Sequence, residues 1–177
     1  LGFEEGLPEF EMMSIVCTII NNFNLKNTSI KINHLGTIEI KELFCNALVE
    51  FLIPHKRLLD ENDLKRLDKN PLRILDTKNK ELQKILKDAP SIKNFLNESS
   101  IDLLNNIKIE FSDICDIDID YSLVRGLDYY SGFVFEAISS DLGAQDSFLG
   151  GGRYDQLCSK LGGKNLPSIG MAIGLER

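Results

Sequence analysis

Tryptophan is absent, histidine occurs twice, and the four cysteines form no close pair in this chain of 177 residues. Cys17, Cys45, Cys115 and Cys158 lie far apart with no C-x-x-C spacing, which argues against a zinc site and gives no disulfide framework. A reducing, cytoplasmic setting is therefore expected. His34 and His55 are too isolated to suggest a metal centre, and a catalytic base needs partners placed nearby. No metal site of the protein's own is expected. No apolar run approaches the ~20 residues that a membrane-crossing helix needs, and no charged-then-apolar leader opens the chain, so no membrane partner is expected. Positive charge is scarce: 20 Lys and Arg stand against 27 Asp and Glu, a net charge of -7. That balance argues against gripping nucleic acid over the whole surface. Local basic patches stay open, since screening confines each charge to about 8–10 Å. The first residue is Leu1 and the last, Arg177, follows an apolar run, so a piece of a longer protein is expected.

What is present is ordinary for a globular protein, with 43% hydrophobic and 27% charged residues. The length suits one domain, or a domain carrying a smaller insertion. Pro8 begins a helical pattern whose stripe is Phe10, Met13, Val16, Cys17, Ile20 and Phe23. Ser29 to Asn33 alternates as a strand ending at Gly36. From Thr37, a candidate N-cap, Ile40, Leu43, Phe44, Ala47, Leu48, Phe51 and Leu52 recur at helical spacing, and Pro54 should kink or end the helix. Shorter helices are predicted at 62–67, at 80–87 with Asn79 as cap, at 91–96 and at 100–107. At Asp116 the period changes to two: Ile117, Ile119, Tyr121 and Leu123 alternate with Asp118, Asp120, Ser122 and Val124. Further strands are predicted at 132–139, 147–149 and 168–173, with one helix at 154–161 closed by Gly162-Gly163. Short links between strands imply an antiparallel sheet. The expected class is α+β: a sheet-based core from 1–36 and 111–177, with a helical insertion at 37–110.

Three segments carry candidate chemistry: LVRGLDYYSGFVFE, GGGRYDQL and PSIGMAIGLER. Arg125, expected to end a strand and followed by Gly126, offers a rigid donor fork suited to phosphate or carboxylate. Tyr129 and Tyr130 should face opposite ways, one ring in the core and one hydroxyl toward a ligand. A plain hairpin with packing tyrosines is the competing reading. Gly150, Gly151 and Gly152 are expected to join a strand to a helix, either as a turn or as bare backbone against a flat or phosphorylated ligand. Their spacing fits neither G-x-G-x-x-G nor G-x-x-x-x-G-K-[ST], which disfavours a Rossmann or P-loop site. Gly170 and Gly174 permit close approach of another backbone or a base ring. Arg177 should sit at a strand-to-helix junction, where backbone N–H groups favour anions, so Arg125 and Arg177 on neighbouring strands could converge on a polyphosphate.

RGLDYYSGFVFE and GGGRYDQL resemble the two histidine-recognition motifs of histidyl-tRNA synthetases, and GMAIGLER resembles the third motif of class II synthetases. INHLG, LDENDLKRLDKNPLRILDTKN and DAPSIKNFL are similar to the segment leading into and through the helical insertion of bacterial-type members. LGFEE is similar to the tail of the second class II motif. The resemblance covers nearly the whole chain in the family's order. It implies an antiparallel class II synthetase-like sheet with flanking helices and a small inserted helical domain. It also implies ATP-dependent activation of L-histidine to histidyl-adenylate, then ligation to tRNA(His). Arg125 is the implied catalytic residue, contacting the α-phosphate and the substrate carboxylate. Glu4 and Tyr130 would meet the two imidazole nitrogens, with Tyr129 alongside. Arg177 would hold the ATP tail, and Gly150, Gly151, Gly152 and Gly174 would line the adenylate pocket. Mg2+ is implied through the nucleotide, and a homodimer for the intact enzyme.

The chain departs from the family pattern at Phe133, Asp146 and Gln156 and in the short loop after LGFEE. The first motif, most of the second and the C-terminal anticodon-binding domain are not in the sequence, so the isolated chain is not expected to be a competent enzyme. The insertion is expected to touch the acceptor end of tRNA through residues such as Lys65, Arg66 and Arg73, leaving adenylate formation largely independent of it. An alternative reading is a synthetase-like regulatory subunit of ATP phosphoribosyltransferase, the first enzyme of histidine biosynthesis. It shares the fold and part of the histidine pocket.

Overall fold

Thr37, Asp60, Asn79 and Asn97 each stand one residue before a helix, and each side chain accepts a backbone N–H of the first turn. These caps satisfy donors that helix starts leave free. They divide the middle of the chain into short segments in the computed structural model, which describes residues 1–143 and 146–176. In chain order the elements are α1 (Leu7–Asn22), β1 (Thr28–His34), α2 (Ile38–Leu52), α3 (Glu61–Lys69), α4 (Lys80–Leu86), α5 (Glu98–Phe111), β2 (Ile117–Ile119), β3 (Phe133–Ser139), β4 (Ser147–Arg153), α6 (Leu157–Lys160) and β5 (Ile169–Ile173). Three-residue-per-turn segments at Ile53–Leu58, Pro71–Asp76 and Ile92–Asn94 link them. Two of these have a proline at their start, where a missing N–H costs least.

The strands form one sheet in the order β2-β1-β3-β4-β5. The neighbours from β1 to β5 are antiparallel, as expected, whereas β1 and β2 run parallel. The helices between β1 and β2 supply the long crossover that a parallel pair requires. Alternation gives the sheet two unlike faces. Ile30, Ile32, Phe133, Phe135, Ala137 and Leu149 join Met13, Val16 and Ile20 of α1 and Leu104, Ile107 and Phe111 of α5 in one buried core. The opposite face carries Lys31, Asn33, Val134, Glu136, Gly150 and Gly152, by register.

The helices between 37 and 110 divide between these faces. The α5 helix belongs to the core with α1, while residues 37–96 form a lobe over the other face. There Leu35, Phe44, Leu48, Leu72 and Ile92 pack with Leu123, Val124, Tyr130 and Val134. A small cluster of Leu52, Leu59, Ile74 and Leu82 fills the outer half of the lobe. Asp63, itself buried, accepts a hydrogen bond from Thr77 Oγ1 at 2.8 Å and ties the turn after residue 76 to α3.

Three local expectations change. Strand alternation stops at Ile119, because Asp120 accepts hydrogen bonds from Ser122 N and Oγ and turns the chain out of the ladder. Arg125 therefore lies in an irregular loop and does not end a strand. The three glycines do not join a strand to a helix: Gly150, Gly151 and Gly152 are buried inside β4, paired with β3 on one side and β5 on the other. Their low strand propensity is overridden by crowding, since a Cβ on Gly151 would lie 2.7 Å from Phe135 Cζ and 2.8 Å from Met171 Cα. The helix expected at 154–161 shortens to α6 and closes as predicted, with Gly163 N donating to Cys158 O and Gly162 N to Ser159 O.

Candidate functional site

Arg125 rises from the loop onto the lobe-side face of the sheet. Its guanidinium rests on the bare backbone of Gly150: a Cβ there would come within 2.6 Å of Arg125 Cζ. Glu136, directly across the β3–β4 ladder from Gly150, accepts a hydrogen bond and ion pair from Arg125 Nη1. Both side chains are mostly covered, at 21% and 24% exposure, so solvent screens the pair less than a surface bridge. The Arg125 Nε is buried without a hydrogen-bond partner among the described residues. A guanidinium fixed by a carboxylate along one edge is suited to turn the rest of its fork to a further anionic group. Asp76, at the end of the 71–76 turn, adds to the same field: partial desolvation, then the Glu136 carboxylate, push its carboxyl up against the pull of Arg66, Arg73 and Arg125.

The two tyrosines separate by role. Tyr130 is buried in the lobe-side cluster, and Tyr129 is only partly covered. Their ring centroids lie 4.7 Å apart, with the Tyr154 ring edge-on to Tyr129 at 5.8 Å. Burial, together with a hydrogen bond to Tyr129, pushes the Tyr130 hydroxyl up to about 12, so it remains a proton donor at neutral pH. Tyr129 and Tyr130 line a cavity of about 590 Å3 with Lys41, Asn70 and Asp128. Glu4 lines an adjoining cavity of about 310 Å3 with Glu5, His34, Ser100 and Arg153. Thr37, Ile38, Ser131 and Gln156 border both cavities. Glu4 and the tyrosines thus line two adjoining cavities that share these four residues, and Arg125, seated on the sheet, lines neither. Gly174 extends the ladder past β5, its N–H donating to Phe148 O at 2.8 Å. Arg177 lies outside the described residues.

The second cavity has a buried polar floor that the sequence does not advertise. Gly36 N donates to His34 Nδ1 at 3.0 Å, which leaves the proton on Nε2 to donate to Glu5 Oε1 at 2.8 Å. Ser100 Oγ lies 3.4 Å from that same nitrogen. Acid and hydroxyl share one side of the ring, so this is not a nucleophile–base–acid relay, which needs both nitrogens. Partial desolvation raises the Glu5 carboxyl, which stays about a third exposed, but the His34 hydrogen bond and the His34 and Arg153 charges outweigh it, and its pKa lies below the ordinary value. Arg153, directly after the three glycines, faces the other core: its Nη2 meets buried Glu9 at 2.6 Å, and its Nη1 meets Asp155 at 3.0 Å. Glu9 also accepts from Gly6 N at 2.6 Å at the start of α1. Burial opposes the Arg153 charge, but these carboxylates outweigh it and hold it charged. Sequence reasoning missed Glu136, Glu9 and His34. For Glu136 a signal existed, a single acid among Phe133, Val134, Phe135, Ala137 and Ile138 on an apolar strand.

Among the described residues no group of His, Cys, Asp and Glu is placed to hold a metal ion. No helix among them is long and apolar enough to cross a membrane.

Comparisons with known proteins point to one family. The family model described as histidyl-tRNA synthetase matches residues 7–177. A histidine–tRNA ligase of Prochlorococcus marinus is 43% identical, over 97% of this chain and 42% of that protein. One from Protochlamydia amoebophila is also 43% identical, over 100% of this chain and 42% of that protein. Apo histidyl-tRNA synthetase from S. aureus superposes with a TM-score of 0.73 at 30% identity, over 99% of this chain and 43% of that one. A Bacillus halodurans protein described as an ATP phosphoribosyltransferase regulatory subunit/histidyl-tRNA synthetase shares the fold, with a TM-score of 0.58 at 17% identity. The chain thus spans about two fifths of the length of the curated relatives it matches.

Proposed function

Because the chain belongs to the histidyl-tRNA synthetase family, we propose that it forms the lobe and the adenylate-forming half of the site in an enzyme that activates L-histidine with ATP and transfers it to tRNA(His). The observation that carries this reading is the setting of Arg125: a guanidinium seated on bare Gly150, braced by Glu136, with Nε unpartnered. When the histidine carboxylate attacks the α-phosphate, negative charge gathers on the phosphoryl oxygens. A donor already held in place stabilises that charge without reorganising. Tyr130, kept protonated, is suited to donate to one imidazole nitrogen, and Glu4 to accept from the other. Tyr129 forms the outer wall, and Gly150, Gly152 and Gly174 keep the sheet bare toward the nucleotide, whereas Gly151 faces the core of α1 and α5. Mg2+ enters through the ATP phosphates and shares the charge neutralisation. Arg177 is assigned to the ATP tail by its motif alone. The intact protein acts in the cytoplasm as a homodimer on this reading.

The test is histidine-dependent exchange of pyrophosphate into ATP by a protein spanning the full length of these relatives. Arg125→Ala should lower the maximal exchange rate by about 10²–10³, the usual consequence of losing one preorganised donor. Arg125→Lys should recover only part, because it keeps the charge and loses the fork. Binding of histidine and ATP should weaken less than the rate. A rate within about threefold of the unmodified protein, well under one tenfold step of 1.36 kcal/mol, would reduce Arg125 to a loop-packing residue.

A further inference from the structure

The loop bearing Arg125, Tyr129 and Tyr130 takes no part in the ladder of the sheet. From Asp120 to Gly132 no residue belongs to a helix or strand. The sheet side ties down its two ends and Arg125: Asn33 Nδ2 donates to Leu123 O at 2.9 Å, Ser131 N donates to Arg153 O at 2.9 Å, and Arg125 Nη1 pairs with Glu136 of β3. From Gly126 to Tyr130 its polar groups are held by the lobe. Lys41 Nζ of α2 donates to Tyr130 O at 3.2 Å. Asn70 Nδ2, where α3 ends, donates to Asp128 Oδ1. The Arg73 guanidinium packs on Gly126, 4.0 Å from where a side chain would begin. Underneath, Phe44, Leu72 and Ile92 of the lobe share one buried cluster with Leu123, Val124 and Tyr130.

We propose that Lys41 and Asn70 are positioning residues for the histidine-binding loop, so that the lobe sets the adenylate-forming step itself and not only the docking of tRNA. This rests on the reading given under Proposed function, and it reverses the expectation that adenylate formation is largely independent of the insertion. The physical reason is that an irregular segment without ladder bonds fluctuates unless its polar groups are tied elsewhere. The two bonds bracket the tyrosine pair, one at the carbonyl of Tyr130 and one at the residue before Tyr129. Lys41 is partly buried, and burial lowers its pKa, with Cys45 and Asp128 opposing and Lys160 adding to the shift. A shift of about 1 Å in the residues that position a substrate can cost roughly 10² in rate.

The test uses the intact protein and three variants: Lys41→Met, which keeps the stem and removes the donor; Asn70→Asp, which sets a carboxylate against Asp128; and Asn70→Asp combined with Asp128→Asn, which exchanges the two partners. Pyrophosphate exchange without tRNA gives kcat and the KM for histidine and for ATP. Thermal unfolding and amide hydrogen exchange of residues 126–131 accompany it. Lys41→Met and Asn70→Asp should each raise the histidine KM roughly fivefold, the usual worth of one hydrogen bond. The ATP KM and the unfolding midpoint should stay nearly constant, and amide exchange should quicken only in the loop. The exchanged pair should recover most of the histidine KM. Exchange kinetics within twofold for both single variants, with only tRNA charging impaired, would overturn the proposal. So would a lowered midpoint with all parameters falling together and no recovery in the exchanged pair. If the unmodified protein shows no histidine-dependent exchange, the underlying functional reading fails instead. Loop amide exchange then still decides whether Lys41 and Asn70 order the segment.

Discussion

Neighbouring glycines in β4 should answer differently to the same added methyl group. A Cβ on Gly150 would fall 2.6 Å from Cζ and 2.7 Å from Nη1 of Arg125, against an ordinary separation of about 3.5–4.0 Å. The obstacle is the far end of a flexible side chain, so the guanidinium retreats by about 1 Å and the strand stays where it is. Stability should then change little, since alanine also restricts the unfolded chain, by about 0.5–1 kcal/mol relative to glycine. Activity should change much more: a displacement of about 1 Å at the reacting phosphate can cost roughly 10². On Gly151 the methyl would meet the Gly170 carbonyl oxygen, Phe135 Cζ at 2.7 Å and Met171 Cα at 2.8 Å. Two of those three are backbone atoms of β5 and cannot step aside without parting the ladder. Overpacking of this kind costs typically about 1–3 kcal/mol, which lowers the midpoint by roughly 2–12 °C in a chain of this size. Thermal unfolding of Gly150→Ala and Gly151→Ala, beside exchange assays in the intact protein, makes the comparison. Equal destabilisation by both, or exchange within threefold of normal in Gly150→Ala, would refute the view that Gly150 is bare for the sake of Arg125.

Two further outcomes follow from the cavities. In the intact protein, Tyr130→Phe and Glu4→Gln should each weaken histidine use by about 1.5–3 kcal/mol with little change in ATP use, the cost of leaving a buried partner unpaired; equal losses for both substrates would point to misfolding. Glu5, whose pKa is depressed below its ordinary 4.5 by His34 and Arg153 despite burial, contributes stability that is fully present above that value and is lost as pH falls through the lower, folded one. Denaturation of the 177-residue chain between about pH 6 and pH 3 should therefore show an acid-side loss. The loss should be smaller in Glu5→Gln, and an unchanged slope would remove the Glu5–His34 contact from the account.

Much of the fold was legible because its signals are local. Helix caps at Thr37 and Asn79 act within one turn, and the stripe through Met13, Val16 and Ile20 reports one face of one helix. The misreadings came where a distant neighbour decides. Tyr121 and Leu123 continue the alternation of Ile117 and Ile119, but Asp120 turns the chain, so that Leu123 packs toward the lobe and Tyr121 lies between the two cores. The parallel pairing of β2 with β1 depends on a crossover through α5, which no local pattern reveals. Arg125, Tyr129 and Tyr130 stood out as chemistry-bearing residues, and the structure brings them to one side of the sheet. Of the residues that hold that arrangement, Glu136 is marked only by being the single acid of an apolar strand, and Asn70 looks like an ordinary surface residue until the lobe places it there.

The two halves of the GGGRY segment show why a motif should be read face by face. Gly150 and Gly152 look toward the lobe side, where Arg125 needs room; Gly151 and Arg153 look toward the core of α1 and α5. An arginine beside three glycines invites assignment to phosphate, yet Arg153 is 2% exposed and its guanidinium is occupied by Glu9, Asp155 and the Phe3 carbonyl. Breaking such a buried pair by removing one partner costs about 3–5 kcal/mol, because the other charge is left stranded. The strand therefore presents its open backbone to the site and uses its charge to fasten the segment that leads from Phe3 into α1. That segment begins beside Glu4, so the anchoring of Arg153 also fixes the position from which Glu4 faces its cavity. Structure and recognition are carried by alternate residues of one strand, and the period of two separates them.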